Sequence, residues 1–263
     1  MLDFSKKINI MKKYLMVIAR YKDWRQEFFE THMSPRNKEY CELHNFEYIE
    51  IKNDIELDIV RDCPTWWKFT LVRDMINSGK LKDGDIITHL DADMAIYDMS
   101  IDYSTNKTFS YSIDSGNTHC MGSYSMKIND WSKKMIDLIL DEDRYKYYNT
   151  KMSIHPVVGS WCFWAWFREQ ASWYSLAGIK NHSWEPFFDL PNFGWHSDID
   201  EHTIYSIDEL NEHVEILPTK YNVTEMEGES TCQYLINKVD KEDVFIRHFA
   251  GGQPWRKEWF KNK

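Results

Sequence analysis

Asp85-Ile86-Ile87-Thr88-His89-Leu90-Asp91-Ala92-Asp93-Met94 is a short β-rich apolar run that ends in two carboxylates one residue apart. A strand takes its apolar side chains into a core, and its end releases the chain at an edge where ligands sit. Two aspartates side by side repel each other unless a positive charge lies between them. Hard divalent cations such as Mg²⁺ and Mn²⁺ take oxygen ligands and are often shared with a diphosphate. The stretch therefore reads either as a metal-diphosphate site on a strand end or as a plain polar turn, where aspartates are common.

Working outward, Tyr14-Leu15-Met16-Val17-Ile18-Ala19 predicts a first buried strand. Trp24 to His44 predicts a helix interrupted near Pro35. Phe46 to Ile51 alternates apolar and polar residues and predicts a second strand. Thr65 to Ser78 has helical spacing, with Thr65 as the expected N-cap and Gly79 as the expected C-cap. Strand, helix, strand, helix, strand is the pattern of a doubly wound α/β sheet. Ligands of such sheets sit beyond the carboxyl ends of the strands, which puts Ala19-Arg20-Tyr21 and Asp91-Ala92-Asp93 on one rim.

The second half is less regular. Phe109 to Ile113 predicts a strand that ends at Asp114, and Trp131 to Leu140 an amphipathic helix. Val214 to Pro218 and Asp243 to Phe249 predict late strands. The last of these brings His248 to a strand end, followed by Gly251 and Gly252, whose backbone can approach a ligand closely. A neutral imidazole is a common ligand for Mn²⁺, although a lone strand-end histidine is more often structural.

The chain has 263 residues, and no linker or low-complexity tract divides it. We expect one domain over 1–263, with a nucleotide-binding half at about 14–110 and an acceptor-binding, metal-completing half at about 111–263. A net charge of −10 and the lack of a basic patch argue against a nucleic-acid partner. Five scattered cysteines without a C-x-x-C pair fit reduced thiols, hence a cytoplasmic setting. No apolar run reaches the length of a transmembrane segment, and no signal core is seen. The aromatic share is high at 16%, with 12 Trp, which suits either a cleft with flat apolar walls or a tryptophan-rich core.

Two blocks together, Leu90-Asp91-Ala92-Asp93-Met94 and Arg247-His248-Phe249-Ala250-Gly251-Gly252-Gln253-Pro254-Trp255, resemble the GT-A glycosyltransferases. The likeness is nearest to the retaining groups typified by glycogenin and galactosyltransferases (family 8) and by xyloglucan xylosyltransferases (family 34). Three further stretches follow in matching order over about 14–256. They are Trp67 to Asp74, Asp198 to Ile204 and Leu217-Pro218-Thr219-Lys220-Tyr221-Asn222.

The resemblance implies a GT-A fold, an α/β fold with a mixed, mostly parallel central sheet flanked by helices, and a metal-dependent hexosyl- or pentosyltransferase that uses a UDP-sugar donor and a carbohydrate-type acceptor. It implies that Asp91, Asp93 and His248 bind Mn²⁺ (or Mg²⁺), which holds the donor diphosphate. It assigns Ala19, Arg20, Tyr21, Lys68, Arg73, Asp91, Gly251 and Gln253 to the donor. It places Asp200 and Glu201 beside the anomeric carbon, with Asp114 a further candidate. Gln253 stands where these families carry lysine, so the phosphates must lean on metal, backbone amides or Arg256. His155 to Trp166, with Trp184, Phe193 and Trp195, are candidates for the acceptor cleft. Retention is expected; inversion would instead need a carboxylate as general base. Two alternatives stay open, a sugar-nucleotide- or glycan-binding protein without transfer and a metal-dependent nucleotidyltransferase. The second lacks a glycine-rich loop near the first strand.

Overall fold

The computed structural model of the chain describes residues 11–19, 24–52, 64–115, 119–151, 168–179, 203–224 and 239–249. At its centre three strands run parallel: β1 (Lys13–Ile18), β2 (Phe46–Ile51) and β3 (Ile86–Asp91). β1 lies between the other two, so Ile18 pairs with Ile51 on one side and with Asp91 on the other. The chain thus steps to one side of β1 and then crosses to the other. That reversal opens a crevice at the carboxyl ends of β1 and β3.

The sheet continues through β6 (His119–Lys127), β5 (Phe109–Ile113) and β7 (Val214–Leu217), giving the order β2-β1-β3-β6-β5-β7. β6 runs against both β3 and β5, while β7 is parallel to β5. Five of the six strands therefore point the same way, and the mixed, mostly parallel α/β sheet is as expected. A second sheet, ordered β4-β9-β8, joins β4 (Met94–Ile96), β9 (Ile246–His248) and β8 (Val223–Thr224).

Side chains alternate across a strand, and β1 shows it. Tyr14 and Met16 enter one buried cluster, with Trp66, Phe69 and Val72 of α3 (Pro64–Asn77) and Ile136 of α4 (Asp130–Ile139). Trp173 and Tyr174 of α6 (Arg168–Ala177) join the same cluster. Leu15 and Val17 enter a second cluster, with Phe28 of α1 (Trp24–Phe28), Tyr40 of α2 (Ser34–His44) and Ile96 and Ile246 of the small sheet. Helices thus cover one face of the large sheet, while α1, α2 and the small sheet cover the other. Trp66, Trp67, Trp131 and Trp173 are core residues and do not line a cleft. Two further helices are α5 (Glu142–Lys151) and α7 (Ile207–His213). Among the described residues no helix is long and apolar enough to cross a membrane.

Several expectations change in detail. The helix break falls just before Pro35, as a π-helical turn at Phe29–Met33. Pro35 then sits in the first turn of α2, where its missing N–H breaks no bond, and the wider turn relieves its ring against the carbonyl four residues back. α3 begins at Pro64, so Thr65 lies inside the helix and is not its cap; Gly79 does follow its end, with φ +74°. The late strand is only Ile246–His248, because Lys241–Asp243 forms a 3₁₀ turn.

Strand β6 carried no legible sequence signal. Its buried face includes Ser123 and Ser125, which read as loop residues. Their hydroxyls are satisfied across strands, Ser125 by the Thr88 hydroxyl at 3.0 Å and Ser123 with the Ser112 hydroxyl at 3.0 Å.

Candidate metal centre at the carboxyl ends of the strands

Asp91 is the last residue of β3, and a tight turn carries the chain through Asp93 into β4. β4 pairs antiparallel with β9, so Met94 lies opposite His248. The Phe249 amide donates to the Asp93 carbonyl at 2.8 Å, which closes that register. The small sheet thus brings the far end of the chain back to the aspartates. One ligand atom each from Asp91, Asp93 and His248 lies within 4.8 Å of the others. His248 Nε2 is 3.5 Å from Asp93 Oδ1.

Two carboxylates and an imidazole are the hard oxygen and borderline nitrogen donors that suit Mn²⁺ or Mg²⁺. Gly122 keeps the site open on one side. A Cβ there would sit 2.8 Å from Asp91 Oδ2 and 3.1 Å from Met94 Cε. The three side chains fit a divalent cation.

The electrostatics around Asp91 are unusual. Burial would push its carboxyl up, but the Lys68 ammonium and His89 outweigh burial and hold it well below the ordinary range. Lys68 Nζ is 3.3 Å from Asp91 Oδ1, and His89 Nε2 is 3.0 Å from the same oxygen. Burial disfavours the charged form of His89, so the neutral ring donates Nε2–H to Asp91. Burial also opposes the charge of Lys68, yet Asp91 and Glu169 keep its pKa above the ordinary value. Glu169 Oε1 is 3.2 Å from Lys68, and desolvation raises its carboxyl. For His248 burial works downward, but the Asp93 carboxylate prevails and lifts the imidazole well above its usual range. A metal at this site would take the place of that proton.

The predicted residues fall into three groups. Asp91, Asp93 and His248 come together. Ala19 is buried at the same rim, its amide donating to Ile51 at 2.9 Å, and Lys68 is buried and reaches Asp91 itself. Asp114 follows β5 at this same end of the sheet, half-buried, and the Tyr174 phenol, whose pKa is raised mainly by burial and then by Cys120, is raised further by Asp114. Arg73 is not brought in. It sits five residues beyond Lys68 on α3, about 7.5 Å along and about 140° around the helix. Arg20, Tyr21, Asp200, Glu201, Gly251, Gln253, Arg256 and the aromatic residues proposed for the acceptor cleft lie outside the described residues.

Sequence reasoning passed over His89, Gly122, Glu169 and Gln170, and it carried Asn222 only as the last residue of the 217–222 stretch, without a role. Glu169 and Gln170 open α6, and the Gln170 side-chain oxygen accepts from the Met121 amide at 2.7 Å. Asn222 Oδ1 lies 3.1 Å from His248 Nδ1.

No family model matches the sequence, and no curated protein does. Among solved structures, the chain is similar to a glycosyltransferase involved in glycosylation of the major capsid of PBCV-1. That match has 8% identity and a TM-score of 0.47 over 95% of this chain and 100% of the other. Mouse xyloside xylosyltransferase 1 is similar at 9% identity and a TM-score of 0.46, over 92% of this chain and 98% of that one. The glycosyltransferase GlyE of Streptococcus pneumoniae TIGR4 is similar at 13% identity and a TM-score of 0.45, over 96% of this chain and 60% of that one. Likeness at this level does not decide chemistry; the converging side chains at the strand ends have to.

Proposed function

We propose that the protein is a metal-dependent glycosyltransferase of the GT-A type. It moves a hexose or pentose from a nucleotide-diphosphate donor, a UDP-sugar, to a hydroxyl of a glycan or similar acceptor, with retention. The observation that carries this reading is the convergence of Asp91, Asp93 and His248 at the crevice between β1 and β3. Carboxylates that close together need a cation, and a strand-end crevice is where an α/β sheet takes a nucleotide.

Mn²⁺ or Mg²⁺ held by these three residues would act as a Lewis acid on the charge that develops on the departing diphosphate. The chain's own residues supply the rest. Lys68 and His89 fix the Asp91 carboxylate and keep it ionised. Ala19 lies at the rim where the nucleotide would enter, and Arg20, Tyr21, Gly251, Gln253 and Arg256 are our assignments to the donor. Asp114, Asp200 and Glu201 remain the candidates beside the anomeric carbon. Glu169 joins them as a buried acid beside Lys68, its carboxyl raised by burial. In this reading about 14–110 holds the donor, and about 111–263 completes the metal site and takes the acceptor. The buried free thiols Cys41 and Cys120 fit a reducing, cytoplasmic setting.

The test is incubation with a panel of UDP- and GDP-sugars plus Mn²⁺, reading release of the nucleoside diphosphate. Slow hydrolysis of one UDP-sugar, abolished by a chelator, is expected. Absence of turnover together with absence of a thermal shift for every nucleotide would overturn the transferase. NMR of the product linkage decides retention.

A further inference from the structure

We propose that Asn222 is the positioning residue of the metal centre, holding His248 so that Nε2 is its free ligand nitrogen. This rests on the reading above that Asp91, Asp93 and His248 take a divalent cation. Asn222 immediately precedes β8, which runs parallel to β9 with Thr224 paired to His248. Its Oδ1 accepts from His248 Nδ1–H at 3.1 Å, while Nε2 of the same ring faces Asp93.

An imidazole carries one lone pair when neutral, and the partner of one nitrogen decides which nitrogen offers it. With Nδ1–H committed to Asn222, the lone pair falls on Nε2, toward the carboxylates. Without that acceptor nothing holds the ring's remaining proton on Nδ1 once a cation displaces the one facing Asp93, and the ring is free to turn its lone pair away from the carboxylates.

Two observations point to this role over a packing role. Asn222 is fully buried, yet its Nδ2 has no hydrogen-bond partner. A half-satisfied amide is a poor stabiliser, and an apolar residue of that size would fill the space without an orphaned donor. The short segment that carries it is also pinned, at Asn222 and at the residues two before and two after it. The Asn222 amide donates to the Thr219 carbonyl at 2.7 Å, the Phe245 amide to the Lys220 carbonyl at 2.9 Å, and the Thr224 amide to the Ser115 hydroxyl at 3.0 Å. The acceptor is thus set in place before any ligand arrives.

The test measures Mn²⁺ binding to the full chain by loss of the free-ion EPR signal, for the unmodified protein, Asn222→Asp and Asn222→Leu. Aspartate keeps an acceptor at Nδ1, while leucine removes it at similar size. We expect Asn222→Asp to bind within about threefold of the unmodified protein and Asn222→Leu to bind about 10–100-fold more weakly, with unchanged circular dichroism. If the unmodified protein binds neither Mn²⁺ nor Mg²⁺, the metal reading itself falls, and this proposal with it. If that protein binds and Asn222→Leu matches it within about twofold, Asn222 alone loses its role. Weakening by aspartate equal to that by leucine also overturns the proposal. Should Asn222→Leu fail to fold, ¹⁵N NMR of the unmodified protein under saturating Mg²⁺ decides the point. The His248 signals are identified by their loss in His248→Asn. A proton on Nδ1 supports the assignment, and a proton on Nε2 overturns it.

Discussion

Aspartates stand at both ends of β3, and they are held in opposite ways. Asp85, just before the strand, is buried, and its carboxylate takes the Lys12 and Lys82 amides, each at 2.9 Å. Its partners are backbone groups that cannot titrate or move away. Asp91, at the other end, is held by the side chains of Lys68 and His89 and faces Asp93 and His248. The first carboxylate closes a turn. The second is kept ionised beside another acid, at an edge that opens to ligands. What separates a structural carboxylate from a functional one here is the kind of partner it has, since the strand and the residue type are shared.

Variants at the two ends should therefore fail differently. The largest effect is expected for Asp93→Ala, which should lower Mn²⁺-dependent donor turnover by about 10³-fold or more, since a metal contributes several kcal/mol. Circular dichroism should be unchanged, and near-normal turnover would remove Asp93 from the site. Lys68→Met is next. It leaves the buried Glu169 and the half-buried Asp91 without their shared cation and should cost about 3 kcal/mol in urea unfolding, most of it at Glu169. A loss below about 1 kcal/mol would mean that the two acids do not depend on Lys68.

Asp85→Ala should cost about 2–3 kcal/mol by the same measurement, through two orphaned amides, while Mn²⁺ affinity stays as it was. A lost affinity would show that the two ends are coupled. The smallest effect is expected for Gly122→Ala. The new Cβ would press the Asp91 carboxylate aside, which costs little in stability because a side-chain tip can yield. Mn²⁺ affinity should nevertheless fall about tenfold, or about 1.4 kcal/mol. An unchanged affinity in calorimetry would mean that Asp91 Oδ2 is not needed.

Much of the central sheet was legible because its strands are local patterns. Tyr14 to Ile18 and Ile86 to Leu90 show the apolar content of buried strands, Phe46 to Ile51 alternates apolar and polar residues, and Pro64 and Gly79 bracket α3. The site was legible where chemistry is dense, in Asp91, Asp93 and His248. It was not legible where a residue owes its role to a distant neighbour. Gly122 is one glycine among ten until β6 lies beside β3. Glu169 is one acid at a helix start until Lys68 lies 3.2 Å away. β6 itself was missed because its buried serines are satisfied by groups elsewhere in the chain, the Thr88 and Ser112 hydroxyls and the Thr105 amide.

By itself, the sequence determined that a buried strand ends in two carboxylates and that strands and helices alternate ahead of it. Apolar periodicity and turn chemistry act over a few residues and can be read in order along the chain. Tertiary structure alone decided that Met94 lies opposite His248, that Lys68 turns inward to Asp91, and that Asn222 meets the imidazole. Each of these contacts joins segments far apart in the chain. Strand register and helix docking set them, and both come from minimising exposed apolar surface over the whole molecule.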